Sequence, residues 1–153
     1  ALGMDVIAWS QNMTADTAQS AGARRVDRAA LFEQSDAVTL HVVLSDRTRG
    51  VVGPDELARM KPGAILVNTA RGPLVDESAL VARLRTGLLT AGLDVYDREP
   101  LPADHPLRTL PNVVLTPHLG YSTREVYAQF YRESIENVLA FLDGAPLRVM
   151  NPP

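Results

Sequence analysis

Six short apolar runs punctuate the chain: Asp5 to Trp9, Arg24 to Val26, Ala37 to Val43, Ala64 to Asn68, Ala91 to Val95 and Asn112 to Leu115. Each is nearly continuous in apolar character and carries β-branched residues, which suits a strand buried on both faces better than one alternating between core and water. Between the runs, apolar positions recur at helical spacing and the boundaries carry helix punctuation. Asp27 can cap a helix bearing Leu31 and Phe32, and Gly53-Pro54 sets a proline at a first helical position ahead of Leu57 and Met60. Asp76 opens a helix with Leu80, Val81 and Leu84, which Gly87 ends. Ser122 and Glu125 have the spacing of a capping box, and the stripe Val126, Phe130, Ile135, Val138, Leu139, Leu142 predicts the longest helix, stopped at Gly144. Strand and helix alternate throughout, which predicts an α/β fold with a doubly wound parallel sheet and right-handed crossovers.

Two stretches depart from that rhythm. Tyr96 to Pro111 contains Pro100, Pro102, Pro106 and Pro111 and is expected to be extended or turning, because proline fixes φ and lacks a donor. Ala1 to Met4 reads as the last turn of a helix with Gly3 at its end, so the domain is expected to be amino-terminally truncated. No two of the ten glycines are separated by a single residue, so the G-x-G-x-x-G turn that cradles a pyrophosphate is absent.

Composition narrows the function classes. The formal charge is −3, and the basic residues are scattered, which argues against a nucleic-acid partner. No apolar run has the length of a membrane span. The absence of cysteine excludes disulfides, thiol nucleophiles and Cys-ligated zinc, fits a reducing compartment such as the cytoplasm, and no metal site is expected.

In an open α/β sheet ligands bind beyond the carboxyl ends of the strands, so the residues following each run matter most. Thr69-Ala70-Arg71-Gly72 follows the fourth run, Tyr96-Asp97-Arg98-Glu99-Pro100 the fifth, and Thr116-Pro117-His118-Leu119-Gly120 the sixth. Singly, each charged residue has an ordinary surface or structural role; together they deliver a guanidinium, a carboxylate and an imidazole to one edge. Arg71 offers a planar fork that matches a substrate carboxylate. His118 can exchange a proton with a hydroxyl or carbonyl oxygen, and Glu99 can fix its tautomer. His41 is expected to pack at a strand end, and His105 to be structural.

The blocks Asn68-Thr69-Ala70-Arg71-Gly72, Gly92-Leu93-Asp94-Val95 through Glu99-Pro100, and Leu115-Thr116-Pro117-His118-Leu119-Gly120 resemble the signatures of D-isomer-specific 2-hydroxyacid dehydrogenases. The resemblance implies a Rossmann-like nucleotide domain lacking its first strand and glycine-rich turn over residues 1–143. Residues 144–153 would begin the return toward a substrate domain. It implies an NAD(P)-dependent enzyme moving a hydride between the cofactor and a small D-2-hydroxy acid or 2-keto acid, dimeric when complete. By the same resemblance Arg71, Glu99 and His118 are catalytic, while Thr69, Ala70, Asp94, Gly120 and Tyr121 line the nicotinamide. Ser10 would stand at the adenosine ribose.

Two departures qualify this. Trp9 is followed by Ser10-Gln11-Asn12, where NAD-using members usually end the strand with an aspartate. Ser10 cannot repel a 2′-phosphate and has no arginine immediately beside it in sequence, so the cofactor is NAD or NADP, with NAD slightly favoured. The strand expected between the first and third runs lies upstream of Ala1, which predicts an open gap, a swapped strand or direct pairing of its two neighbours. Two alternatives accompany the dehydrogenase reading: a nucleotide-sensing, corepressor-like binding module, and an inactive fragment.

Overall fold

Three helix starts fall on the residues named above, each through a carboxylate that satisfies a backbone donor. In the computed structural model, which describes residues 3 to 151, the elements run β1 (Ile7–Ala8), α1 (Ala15–Ser20), β2 (Arg24–Arg25), α2 (Arg28–Gln34), β3 (Ala37–Leu40), α3 (Pro54–Arg59), β4 (Ala64–Asn68), α4 (Glu77–Arg85), β5 (Leu89–Leu93), β6 (Val113–Leu115) and α5 (Arg124–Leu142). Asp27 Oδ1 accepts from the Ala30 N–H at 2.8 Å and Asp76 Oδ1 from the Ala79 N–H at 2.9 Å. At α3, Pro54 takes the first helical position and Glu56 reaches back to the Gly53 N–H at 3.0 Å. At α5 the cap is Thr123, which accepts from the Val126 N–H, and not Ser122 as the spacing predicts.

All pairings are parallel. β3, β4, β5 and β6 lie in that order in one sheet, while β1 and β2 pair separately, with Ile7 opposite Arg24 and Ala8 opposite Arg25. β1 and β3 make no ladder with each other, so each is an edge among the described residues. Gly3 has φ +73; Ala1 and Leu2 of the helical turn read at the amino end lie outside the described residues.

The four-stranded sheet differs from expectation in one respect: its strands alternate. Val38, Leu40, Ala64, Leu66, Leu89, Ala91 and Leu93 are buried, whereas Ile65 and Val114 on the intervening positions are 43% and 66% exposed. The physical reason is that successive strand residues face opposite sides, and the buried side is the one packed with Phe32, Leu57, Met60, Leu74, Leu80, Leu84 and Leu107. The expectation of strands buried on both faces is therefore corrected.

The proline-rich stretch is also more structured than its composition suggests. Pro106–Thr109 forms a 3₁₀ turn, and Leu101 and Leu107 enter the core at 8% and 1% exposure. The chain divides into two compact units, one through His118 and one from Leu119 onward that contains α5. Within the second, Tyr121 stacks on Phe130 and Tyr127 on Tyr131, each with ring centroids 6.4 Å apart. No helix among the described residues is long and apolar enough to cross a membrane, and none of their side chains cluster as a metal site.

Candidate active site

β4, β5 and β6 end side by side, with Asn68 opposite Leu93 and Leu93 opposite Leu115. Their carboxyl ends therefore release Thr69–Arg71, Asp94–Glu99 and Thr116–His118 at one edge. Buried polar groups hold these three turns.

Asn68, 1% exposed, governs the first. Its Oδ1 accepts from the Ala70 N–H at 3.1 Å and its Nδ2 donates to the Arg71 carbonyl at 2.9 Å, which bends the chain immediately after the strand. Its own carbonyl accepts from the Asp94 N–H at 3.0 Å, tying the first turn to the second. Gly72 then passes so close to the second turn that a Cβ there would lie 2.0 Å from the Tyr96 carbonyl carbon. Only glycine permits that approach.

Tyr96, 6% exposed, links the second and third turns. Its hydroxyl lies 3.0 Å from the Leu93 carbonyl oxygen and 2.8 Å from that of Thr116, so one proton serves two acceptors. Burial pushes the phenol's pKa up, with the neighbouring Asp94 charge adding to it, so the hydroxyl keeps its proton. Asp94 is itself buried and accepts from the Thr116 hydroxyl. An ionised carboxylate has about four acceptor positions, so Asp94 suits a ligand amide at the end of β5.

Glu99 and His118 meet on this frame. Glu99 Oε2 lies 2.7 Å from His118 Nδ1, and Oε1 accepts from the Tyr96 N–H at 3.0 Å. An ionised carboxylate only accepts, so Nδ1 carries the proton. Partial burial pushes Glu99 up, but the His118 hydrogen bond, the Tyr96 N–H and the His118 and Arg71 charges together hold it below the usual carboxylate range. His118 has φ +57, a left-handed conformation uncommon outside glycine. The Glu99–Pro100 peptide is cis.

A cleft of about 550 Å³ opens beside the pair, with Glu99 and His118 on its wall and Pro100, Leu101, Leu115 and Pro117 supplying apolar surface. Arg71 and Asp94 do not line it. The exposed Arg71 guanidinium donates from Nη1 to the Ala70 carbonyl at 2.6 Å, so it is turned along its own loop while its charge still acts on Glu99. Thr69 is exposed and Ala70 half-buried on the same turn. Gly120 and Tyr121 belong to the second unit. Ser10 stands after β1, apart from these three turns, and its carbonyl accepts from the Met13 N–H at 3.2 Å.

The other histidines behave differently from one another. His105 accepts from the Leu107 N–H at Nδ1 and pairs through Nε2 with Glu77 at 3.0 Å, a structural role as expected. His41 is exposed and bonds Thr39 Oγ1 at 2.9 Å, so it does not pack as expected. Asn68, Gly72 and Tyr96 are supporting residues that reading for groups charged or titrating near neutral pH passes over. Their signal was present in the blocks themselves: an amide ending a strand, a glycine after the arginine, and a tyrosine three residues before the glutamate.

Comparison with known proteins gives a consistent result. The family described as D-isomer specific 2-hydroxyacid dehydrogenase, NAD binding domain, matches residues 1–120. The glyoxylate/hydroxypyruvate reductase B of Serratia proteamaculans is 41% identical over 143 residues, which is 93% of this chain and 44% of that protein. A crystal structure of a phosphoglycerate oxidoreductase from Vibrio cholerae superposes with a TM-score of 0.87 at 37% identity, covering 94% of this chain and 46% of the other. The D-lactate dehydrogenase of Lactobacillus jensenii, determined with NAD+, gives a TM-score of 0.81 at 28% identity over 99% of this chain and 49% of the other. The chain thus spans less than half the length of these relatives.

Proposed function

The chain belongs to the D-isomer specific 2-hydroxyacid dehydrogenase family through its NAD-binding domain, and on that premise we propose that the whole protein is an NAD(P)-dependent oxidoreductase acting on a small D-2-hydroxy acid or its 2-keto acid. The observation that carries the reading is the Glu99–His118 hydrogen bond of 2.7 Å at the carboxyl edge of the sheet. The activity is assigned to the full-length protein, since the chain spans 44% of such a relative.

The residues present suit the nicotinamide end of the cofactor. Asp94 offers a buried acceptor for a carboxamide, and Thr69 and Ala70 lie on the adjoining turn; Gly120 and Tyr121 complete the proposed set. When bound, the cofactor supplies or accepts the hydride. His118 exchanges the proton of the substrate oxygen through Nε2, and Glu99 keeps Nδ1 protonated and stabilises the imidazolium that forms. Arg71 holds the substrate carboxylate, which requires its guanidinium to swing from the Ala70 carbonyl to the substrate.

The reading includes a cytoplasmic homodimer, with the loop from Glu99 to Pro111 near the contact, and a partial nucleotide domain over 1–143 followed by a return segment over 144–153. The test is reduction of glyoxylate and hydroxypyruvate by the full-length protein with NADH or NADPH. Turnover lost on His118→Asn substitution with cofactor binding kept is the expected result. Saturating cofactor without turnover on any small 2-keto acid would leave a nucleotide-binding module in its place.

A further inference from the structure

The turn after β1 carries no carboxylate: Trp9, Ser10, Gln11, Asn12, Met13 and Thr14 are all uncharged. In doubly wound dinucleotide-binding folds this is where the adenosine ribose lies, and an acidic residue there accepts its hydroxyls and repels a 2′-phosphate. The structure adds a cation that the sequence separates from the turn by twelve residues. Ala8 and Arg25 are opposite each other across β1 and β2, and Arg25 Nε donates to the Met13 carbonyl at 2.8 Å. The Met13 N–H in turn bonds the Ser10 carbonyl at 3.2 Å, so the arginine and Ser10 belong to one closed turn.

Arg25 and Arg28 are differently committed. Arg28 lies over the Trp9 ring at 5.6 Å, bonds the Val51 carbonyl at 2.7 Å and pairs with Glu56 at 3.0 Å. Arg25 is exposed and, among the described residues, no carboxylate pairs with it. Its Nε fixes the side chain against the turn, which leaves the terminal nitrogens as a pre-positioned fork for a phosphate.

Resting on the dehydrogenase reading above, we infer that Arg25 receives the 2′-phosphate of NADPH, so that the protein binds NADPH at least as tightly as NADH. A 2′-phosphate brings a charge of about −1.5 to −2, which Ser10 does not oppose and Arg25 attracts. The residue acts on the cofactor end remote from the chemistry and selects between cofactors without touching the reacting atoms.

Equilibrium fluorescence titration of the full-length protein with NADH and NADPH tests this without requiring turnover. The expected result is a Kd for NADPH equal to or below that for NADH. Arg25→Gln should raise the NADPH Kd about tenfold and leave the NADH Kd within about twofold, the size of one charge-assisted contact. Ser10→Asp, which leaves Arg25 in place, should reverse the preference. Competition by 2′,5′-ADP should exceed that by 5′-AMP in the native protein and equal it in Arg25→Gln. NADH binding tighter than NADPH in the native protein would overturn the inference and leave the dehydrogenase reading intact. Equal loss of both cofactors in Arg25→Gln would reduce Arg25 to a support for the turn and overturn it as well. Binding of neither nucleotide would remove the dehydrogenase reading, and the inference with it.

Discussion

Gly72 passes Tyr96 so closely that a methyl group would sit 2.0 Å from the tyrosine's carbonyl carbon and 2.2 Å from its carbonyl oxygen. This close approach fixes the separation between the turn that bears Arg71 and the one that bears Glu99. Backbone lies on both sides, so neither rotamer change nor a flexible neighbour can relieve an added atom.

Gly72→Ala is therefore expected to destabilise the protein by about 3 kcal/mol or more, at the upper end of overpacking effects. Urea denaturation checks this through the midpoint. A midpoint within experimental error of the native value would mean that the two turns can separate at little cost.

Asn68→Ala should cost about 1 to 3 kcal/mol, because the Ala70 N–H and the Arg71 carbonyl lose their partner while the site stays buried. Asn68→Asp should be at least as damaging: it keeps the shape and the acceptor but cannot donate to the Arg71 carbonyl, and it buries a charge. Thermal unfolding of the two variants side by side gives the order.

His118→Ala in the full-length protein should lower kcat by about 10² to 10⁴, the usual range for loss of a general acid–base group, with little change in cofactor Kd. Glu99→Gln should reduce kcat and alter its pH profile, since the amide no longer fixes Nδ1–H as a donor or balances an imidazolium. Steady-state kinetics across pH separate the two.

The acidic groups near the site have opposite linkage. The Glu99 pKa is held down in the folded state, so its contribution to stability is present above the ordinary glutamate value of about 4.3 and is lost as pH falls through the lower folded value. The Asp97 pKa is pushed up, first by burial and then by Glu77 and Asp76, so its ionised form opposes folding above the raised value. Asp97→Asn should accordingly raise Tm at neutral pH, and the gain should vanish below the ordinary aspartate value of about 3.9. Calorimetry at pH 3 and pH 7 checks the sign.

Helix starts were legible wherever one side chain decides them, as at Asp27, Gly53-Pro54 and Asp76. Strand limits were less so, because a ladder needs a partner that the local sequence does not contain. The apolar run from Ala37 to Val43 pairs only to Leu40, where its neighbour β4 ends at Asn68. The run read as Ala91 to Val95 instead pairs from Leu89, and Val95 is buried without joining the ladder. Glu99 and His118 could be placed at one edge by strand order alone. The folded-back Arg71 and the reach of Arg25 to Met13 depend on side-chain paths that strand order does not determine.

The Tyr96 hydroxyl joins the two loops that end in Glu99 and His118 by sharing its proton between Leu93 and Thr116. Mechanically, the carboxylate and the imidazole are coupled: the loop that carries one is latched by a hydrogen bond to the loop that carries the other. Tyr96→Phe, which removes the latch but keeps the ring, leaves the Thr116–Asp94 and Glu99–His118 hydrogen bonds as remaining side-chain ties between the two loops and loosens their coupling. Its signature would be a broadened spread of Glu99–His118 geometries with each loop's own fold still in place.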